Sequence, residues 1–262
     1  MAHQARKRFG QNFLEDHGII YQIIASIQAQ KGQHWVEIGP GQGALTHPLL
    51  ETGVTLDVVE LDRDLVTLLT QKFEPHPQLT IHSADALKFD FQALVNSDEK
   101  LRIIGNLPYN ISTPLLFHLL SNAHSIADMH FMLQKEVVER ICAVPGSKKY
   151  GRLTVMMNYY CASEHLFDVP PESFKPIPKV NSAIVRLIPH STAPVTLNER
   201  KTLNTIVTAA FSQRRKTIRN SLKKHLNEDQ IKQLGIDPKV RAEEVGLEDF
   251  AKLANFFNEI SE

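Results

Sequence analysis

Short apolar runs rich in β-branched residues alternate, over the first half of the chain, with longer segments of helical pattern. Each run is bounded by Gly, Pro, Asp or Asn, as parallel strands usually are when helices cover both faces of their sheet. The alternation predicts an α/β fold with a doubly wound, Rossmann-like sheet. The predicted strands are residues 34–38, 54–60, 79–82, 101–104 and 129–133, and the predicted helices are residues 44–51, 62–73, 91–97 and 114–122.

The pattern changes in the second half of the chain. Residues 164–169 and 183–188 are two further apolar runs, and we predict that they close the sheet as a hairpin at its edge. Residues 188–197 hold two prolines among small polar residues, which is typical of a linker. Beyond this linker the pattern is helical. We therefore predict two domains, residues 1–194 with the sheet and residues 195–262 with a small set of helices.

The composition is that of an ordinary globular protein, with 42% hydrophobic and 22% charged residues in a chain of 262. No apolar run approaches the roughly 20 residues that a membrane-spanning helix needs, and no apolar stretch of a signal peptide follows the basic N-terminus. The two cysteines, Cys142 and Cys161, belong to no Cys-x-x-Cys or Cys/His cluster. We therefore expect no membrane partner, no disulfide framework, no metal site and a cytoplasmic location.

The formal net charge of zero conceals a segregation of charge, because the N-terminus is basic and the C-terminus is acidic. Between them, a basic segment at residues 211–224 contains no acid and places Phe211, Ile218 and Leu222 at helical spacing. A merely solvated helix would usually carry acids to pair with its cations, so their absence favours contact with a polyanion. The cations of this segment are Arg214, Arg215, Lys216, Arg219, Lys223 and Lys224.

A glycine-rich turn follows the first predicted strand. Gly39 and Gly41 allow the chain to turn sharply and its backbone to lie close to a ligand. Glu60 ends the second strand, where its carboxylate can accept hydrogen bonds from both hydroxyls of a ribose. Together with Ala44, the same glycines also match the dinucleotide fingerprint of nicotinamide enzymes. The turn alone leaves three interpretations open: S-adenosylmethionine, a nicotinamide dinucleotide, or a turn with no ligand.

The end of the fourth predicted strand favours the first of these. It is followed by Asn106, Leu107, Pro108 and Tyr109, in a loop that should face the ligand of an open α/β sheet. An adenine amine is a poor nucleophile because its lone pair is delocalised into the ring. The Asn106 side-chain oxygen and the Leu107 carbonyl could hold its two hydrogens, while Pro108 fixes the turn. Tyr109 could then stack on the base. An isolated tetrad of this kind is commonly an ordinary turn, but its place after the glycine turn and Glu60 favours amine methylation.

These motifs together resemble the ribosomal RNA adenine N6-dimethyltransferase family of the KsgA type. The matching stretches span nearly the whole chain in the family's order, and they are residues 8–14, 36–41, 60–62, 85–86, 106–113 and 211–222. The resemblance implies a class I methyltransferase sheet with a small C-terminal helical domain for RNA recognition. It also implies S-adenosylmethionine as the methyl donor and S-adenosylhomocysteine as the product.

The resemblance assigns individual residues as well. Asn12 and Leu14 would close over the cofactor, whereas their segment would otherwise be interpreted as the entry to a helix. Asp85 would accept a hydrogen bond from the adenine amine of the cofactor. Phe174 corresponds to the aromatic residue that sandwiches the target base, beside the catalytic tetrad. The full set implied for the cofactor is Asn12, Leu14, Gly39, Gly41, Glu60, Asp85 and Asn106.

The favoured hypothesis is dimethylation of adenine N6 in small-subunit (16S) ribosomal RNA during ribosome biogenesis. The substrate would be a partly assembled 30S particle, and no obligate protein partner is predicted. The alternatives are an antibiotic-resistance methylase of large-subunit RNA and a non-catalytic assembly factor on the same fold, with a nicotinamide oxidoreductase more distant. Intact Glu60, Asp85 and Asn106 favour an active enzyme, and residues 211–222 favour the biogenesis branch. Transfer from a sulfonium needs no strong base, so we assign neither a general base nor a metal.

Overall fold

The computed structural model describes residues 11–73, 76–95, 99–108, 111–213 and 215–261, and these ranges contain nine strands and ten α-helices. The strands are β1 (Phe13–Leu14), β2 (His34–Ile38), β3 (Thr55–Glu60), β4 (Leu79–Ser83), β5 (Leu101–Asn106), β6 (Ile126–Gln134), β7 (Cys161–Val169), β8 (Phe174–Lys175) and β9 (Ser182–Pro189). The helices are α1 (His17–Ile27), α2 (Thr46–Glu51), α3 (Arg63–Phe73), α4 (Ser112–Leu120), α5 (Lys135–Ile141), α6 (Arg152–Tyr160), α7 (Arg200–Phe211), α8 (Ile218–Ser221), α9 (Glu228–Gln233) and α10 (Leu247–Glu259).

A seven-stranded sheet has the order β4-β3-β2-β5-β6-β9-β7. Strands β2 to β6 pair in parallel, whereas β9 runs antiparallel to β6. The chain proceeds outward in one direction from β2 to β4 and in the other from β5 to β6. The carboxyl ends of β2 and β5 therefore flank the point where the strand order reverses, which is where open α/β sheets bind ligands.

The central strands approach each other closely beneath this point. A Cβ atom on Gly105 of β5 would lie 2.5 Å from the carbonyl oxygen of Ile38 on β2, so a side chain there would displace one backbone or the other. Arg102, at the opposite end of β5, secures α1 to the sheet. Its guanidinium makes two hydrogen bonds to Asp128, at 2.8 and 2.7 Å, and donates another to the carbonyl oxygen of Ile27 at 2.8 Å. It also lies 4.3 Å from the centre of the Trp35 ring.

The strands predicted from the sequence are present, and the Rossmann-like fold class is confirmed. The two predicted closing strands correspond to β7 and β9, which lie side by side at the edge of the sheet. The helix predicted over residues 91–97 is instead a single 3₁₀ turn at Phe91–Leu94, with the Asp90 side chain accepting from the Gln92 N–H. Two strands that the pattern did not predict, β1 and β8, form a separate antiparallel pair.

Two compact units divide the chain differently from the boundary predicted after residue 194. The first unit contains the described residues up to 138 together with 164–189, and the second contains 139–163 together with 190–261. Helix α6 belongs to the second unit, where it packs against α7 and α10 through buried apolar side chains. The strand pattern of the first unit resumes after it, so a single cut along the chain cannot separate the units. The functions predicted for the two domains stay predictions.

Candidate active site

A pocket in the first unit opens at the carboxyl ends of β2, β3 and β5. Residues far apart in the sequence line it, and they include most of those predicted to bind the cofactor or the target base. The predicted residues in its wall are Asn12, Leu14, Gly39, Gly41, Glu60, Asp85, Asn106, Leu107, Pro108 and Phe174. Tyr109 lies outside the described residues. The structure therefore brings the candidate residues together, while their individual roles stay predictions.

The glycine turn leaves no room for a side chain at its centre. Gly41 has a φ of +59°, in the left-handed region that favours glycine, and a Cβ on it would lie 3.1 Å from the Phe13 ring. Phe13 therefore packs directly over the turn. A hydrogen bond of 3.0 Å from the Gly39 N–H to the Val59 carbonyl oxygen joins the turn to β3. Its backbone thus forms one wall of the pocket, and Phe13 covers it.

Glu60 combines a structural role with free binding capacity. One carboxylate oxygen accepts from the Asp62 N–H at 2.9 Å, and the other accepts from the Gly41 N–H at 3.3 Å. Burial raises the pKa of this carboxyl above its ordinary value, and the two N–H donors oppose that effect. Because a carboxylate has about four lone-pair sites, Glu60 can still accept a hydrogen bond from a ligand in the pocket.

Glu37 is a wall residue that the sequence analysis did not single out. Its side chain is buried, and it accepts a hydrogen bond of 2.5 Å from the Thr46 hydroxyl. Burial raises the pKa of Glu37 to about 7, and the nearby charge of Glu60 acts in the same direction. The sequence does mark Glu37 as a charged residue inside an otherwise apolar strand. Charged residues are almost never fully buried unless they are paired. Together, Glu37 and Glu60 give the pocket a wall that suits a cationic ligand.

Asp85 follows β4 and stabilises its own turn. Its side chain accepts from the Leu87 N–H at 3.0 Å, while its carbonyl accepts from the Lys88 N–H at 2.9 Å. This is an Asx turn, a common local role for an aspartate that follows a strand. The residue also lines the pocket, and its carboxylate keeps acceptor capacity for a ligand amine. Contact with the adenine of a cofactor remains a prediction.

Asn106 ends β5 with its amide group fixed in one orientation. The Nδ2 group donates a hydrogen bond of 3.1 Å to the carbonyl oxygen of Asn12, which is 94 residues away along the chain. The Oδ1 atom has no partner in the described part of the chain, so an acceptor is left available at the pocket. The next residue, Leu107, is anchored through its N–H to the carbonyl oxygen of Met132 at 3.2 Å. The two predicted acceptors, Asn106 Oδ1 and the Leu107 carbonyl, therefore belong to residues that hydrogen bonds hold in place.

Phe174 reaches the pocket from a distant part of the sequence. It is only 4% exposed and belongs to β8, which pairs with β1 so that Leu14 is opposite Phe174 and Phe13 is opposite Lys175. Phe174, predicted to contact the base, and Leu14, predicted to close over the cofactor, therefore share one small sheet. Two-residue strands have no periodicity, so the sequence offered no signal for this pairing.

The basic segment lies in the second unit, and two predictions about it are wrong. It is not one helix, because α7 ends at Phe211 and α8 begins at Ile218, where the Ile218 N–H donates to the Val240 carbonyl oxygen at 2.8 Å. Nor do all its cations lack acids, because Arg219 pairs with Glu228 at 3.0 Å. Arg214 lies outside the described residues. The cations that are exposed and have no ion pair in the described part of the chain are Arg215, Lys216, Lys223 and Lys224.

The described residues contain no cluster of three or more His, Cys, Asp or Glu side chains arranged to hold a metal ion. No helix among them is long and apolar enough to cross a membrane.

The fold and the pocket define a class I methyltransferase, with the glycine turn and the acidic residue of β3 at the point where the strand order reverses. The chain belongs to the ribosomal RNA adenine dimethylase family, whose model matches residues 2–259.

Relatives at high identity carry one name. The chain is 56% identical to "Ribosomal RNA small subunit methyltransferase A" of Marinomonas sp. (strain MWYL1), over 97% of this chain and 96% of that protein. It is 55% identical to the protein of the same name from Pseudomonas aeruginosa, over 98% of this chain and 96% of that protein. The predicted family and the predicted enzyme, an rRNA adenine dimethyltransferase, are thereby confirmed.

Two solved structures are similar over nearly their whole length. A dimethyladenosine transferase from Plasmodium falciparum has a TM-score of 0.80 at 27% identity, covering 95% of this chain and 98% of that one. The 23S rRNA methyltransferase ErmE has a TM-score of 0.73 at 25% identity, covering 94% of this chain and 100% of that one. The name of the second structure refers to 23S rRNA, the substrate of the alternative hypothesis.

Proposed function

We propose that the protein uses S-adenosylmethionine to dimethylate adenine N6 in small-subunit (16S) ribosomal RNA. The observation that carries this proposal is Asn106, whose amide is fixed by the Asn12 carbonyl so that Oδ1 remains available at the pocket. The name shared by the relatives at 56% and 55% identity supports the small subunit as the substrate. A partly assembled 30S particle in the cytoplasm remains our expectation for the setting.

Three features of the pocket support S-adenosylmethionine over a dinucleotide as its ligand. Glu60 keeps acceptor capacity for ribose hydroxyls, and the glycine turn forms one wall of the pocket. Glu37 adds a second buried carboxyl to the same wall. Because burial raises the pKa of Glu37 to about 7, part of the Glu37 population is charged at neutral pH. That negative charge favours a ligand that carries positive charge over the anionic pyrophosphate of a nicotinamide dinucleotide. When bound, S-adenosylmethionine supplies an electrophilic methyl group on its sulfonium.

The residues of the chain then act on the amine of the target adenine. Asn106 Oδ1 and the Leu107 carbonyl accept hydrogen bonds from its two N–H groups. This favours a pyramidal nitrogen whose lone pair is available to attack the methyl group of the cofactor. Phe174 holds the base by stacking, and Tyr109 is predicted to do so from the other face. The nitrogen loses its proton to water after attack, so none of these residues needs to be a strong base. The monomethylated amine keeps one hydrogen, which one of the two acceptors can still hold. A second molecule of S-adenosylmethionine then has to replace S-adenosylhomocysteine before the dimethyl product can form.

We expect Glu60→Ala to weaken the binding of S-adenosylhomocysteine by about 1.5–3 kcal/mol, the contribution of hydrogen bonds to a charged group. Isothermal titration calorimetry measures this change directly. Glu51→Ala, which removes an exposed carboxylate in the same unit, is the matched control and should bind normally. A folded Glu60→Ala protein with unchanged affinity would remove Glu60 from the site.

The RNA is expected to contact the exposed cations of the basic segment. We expect Arg215→Ala/Lys216→Ala to weaken RNA binding without changing cofactor affinity, and to flatten the log–log salt dependence by roughly 0.7–0.9 per lost phosphate contact. The control is Lys149→Ala/Lys252→Ala, which removes two cations that already pair with Glu139 and Asp249. Equal salt slopes for the two double variants would show that this surface does not bind RNA.

Methyl transfer from labelled S-adenosylmethionine to purified ribosomal particles tests the proposed function. Small- and large-subunit particles that lack adenine methylation are the two substrates, and nucleoside analysis identifies the product. We expect dimethyladenosine in the small-subunit RNA alone. Product in the large subunit alone would support the alternative that the likeness to ErmE represents. No product in either would support a non-catalytic assembly factor.

A further inference from the structure

Residues 11–16 form a strap across the pocket, held at four successive positions. The Gln11 side chain donates to Asp62 at 3.2 Å, and the Asn12 carbonyl accepts from Asn106. Phe13 packs on Gly41, and Leu14 is buried opposite Phe174. The strap therefore connects the glycine turn, the catalytic loop and the strand of the base-binding aromatic.

Ser173 fastens the end of this strap. Its carbonyl oxygen accepts from the N–H groups of Glu15 and Asp16, at 2.9 and 3.3 Å. Its hydroxyl donates to Asp16 Oδ2 at 3.1 Å, while Asp16 Oδ1 caps α1 by accepting from the Gly18 and Ile19 N–H groups. Ser173 is 2% exposed, so the hydroxyl is sheltered from water. One aspartate thus fixes both the start of α1 and the residue next to Phe174.

Neither Ser173 nor Asp16 lines the pocket. Their neighbours do, however: Asn12 and Leu14 on the strap side, and Phe174 on the other. Whatever orders the strap must therefore also order Phe174, because the two strands share backbone hydrogen bonds and the Ser173–Asp16 contact. This geometry connects the residues predicted to contact the cofactor with the residue predicted to contact the target base.

We infer that Ser173 is a positioning residue that couples cofactor binding to binding of the target adenine. The inference rests on the proposed function. A cofactor under the strap fixes Asn12 and Leu14, and the Ser173–Asp16 contact transmits that order to Phe174. Because such coupling is reciprocal, each ligand raises the affinity for the other by the same factor. Adenine is then captured preferentially when a methyl donor is present.

The test is a coupling ratio measured with small-subunit particles assembled on 16S rRNA transcribed in vitro, which carries no methyl groups. The ratio is the particle dissociation constant without S-adenosylhomocysteine divided by the constant with it at saturation. For the wild-type protein we expect a ratio of about 5 or more, in the usual range of coupled sites. For Ser173→Ala we expect a ratio near 1, with the affinity for S-adenosylhomocysteine alone within about twofold of wild type.

The same variant should lower the single-turnover methylation rate by about tenfold, since a small misplacement of Phe174 is costly in the transition state. Ser26→Ala is the matched control, because its hydroxyl bonds only the Ile23 carbonyl within α1, and it should keep the wild-type ratio. If Ser173→Ala does not fold, Asp16→Ser replaces it. Serine remains a good N-cap for α1 but has no second oxygen for Ser173.

The outcomes separate this inference from the function on which it rests. A wild-type protein that neither binds S-adenosylhomocysteine nor methylates RNA overturns the proposed function, and the inference with it. An active wild type with a ratio of 1, or a Ser173 or Asp16 variant that keeps the wild-type ratio, overturns the inference alone. A lowered ratio in those variants, with the Ser26 control unchanged, supports it. Loss of thermal stability alone would not change the ratio, so a purely structural role is distinguishable.

Discussion

Asn106→Ala should lower the single-turnover rate of methyl transfer by at least about 100-fold, the usual effect of deleting one preorganised hydrogen-bonding group from an active site. RNA affinity should change far less, because the acceptor is proposed to matter most when the amine becomes pyramidal. Rapid-quench transfer of labelled methyl groups at saturating cofactor measures the rate, and a filter-binding titration measures the affinity.

The structure provides a control for this experiment. Asn122→Ala removes the same side chain in the same unit from a position where it makes no capping hydrogen bond. The control should methylate RNA at the wild-type rate. If Asn106→Ala also stayed within about threefold of wild type, the side chain would merely anchor the strap through Asn12, and another acceptor would be needed.

Gly105→Ala should destabilise the first unit by about 3 kcal/mol, at the upper end of the range for overpacking. The added Cβ would lie 2.5 Å from the Ile38 carbonyl oxygen, and both atoms belong to central backbones that cannot move independently. Urea denaturation followed by circular dichroism measures the free energy of unfolding. Cofactor binding should weaken as well, since Gly105 directly precedes Asn106.

Gly151→Ala is the corresponding control, because a Cβ at Gly151 would meet no atom within 4 Å. It should cost no more than about 1 kcal/mol, the usual effect of alanine at an N-cap. A Gly105→Ala protein as stable as this control would show that β2 and β5 can separate without loss. The close approach of β2 and β5 would then not explain why residue 105 is a glycine.

The sheet could be predicted because each of its strands carries its own signal. Residues 34–38 and 101–104 are apolar runs followed by Gly, and most of their residues are buried as expected. The position of Asn106 at the pocket could also be predicted, because ligands of open α/β sheets bind beyond the carboxyl ends of the strands. For Glu60 the same argument holds. Local sequence determined these positions.

Where an interaction joins distant parts of the chain, local reasoning failed. Phe211, Ile218 and Leu222 fit a single helical stripe, yet the backbone between them turns, because residues near 240 supply hydrogen bonds that compete with the helix. Glu228, the acid that pairs with Arg219, lies beyond the acid-free window. Phe174 was assigned only through the family resemblance, since nothing local marks a two-residue strand.

The pairing of β1 with β8 has a consequence for synthesis. Ser173 and Asp16 are 157 residues apart, so the ribosome must produce most of the chain before β1 has its partner strand. The glycine turn and the first five strands of the sheet are complete earlier, with Phe13 and Leu14 at the N-terminal side still unpaired. Closing so long a loop is entropically costly and depends on the sheet already bringing its ends together. The cofactor pocket is therefore among the last features of the first unit to be completed on a nascent chain.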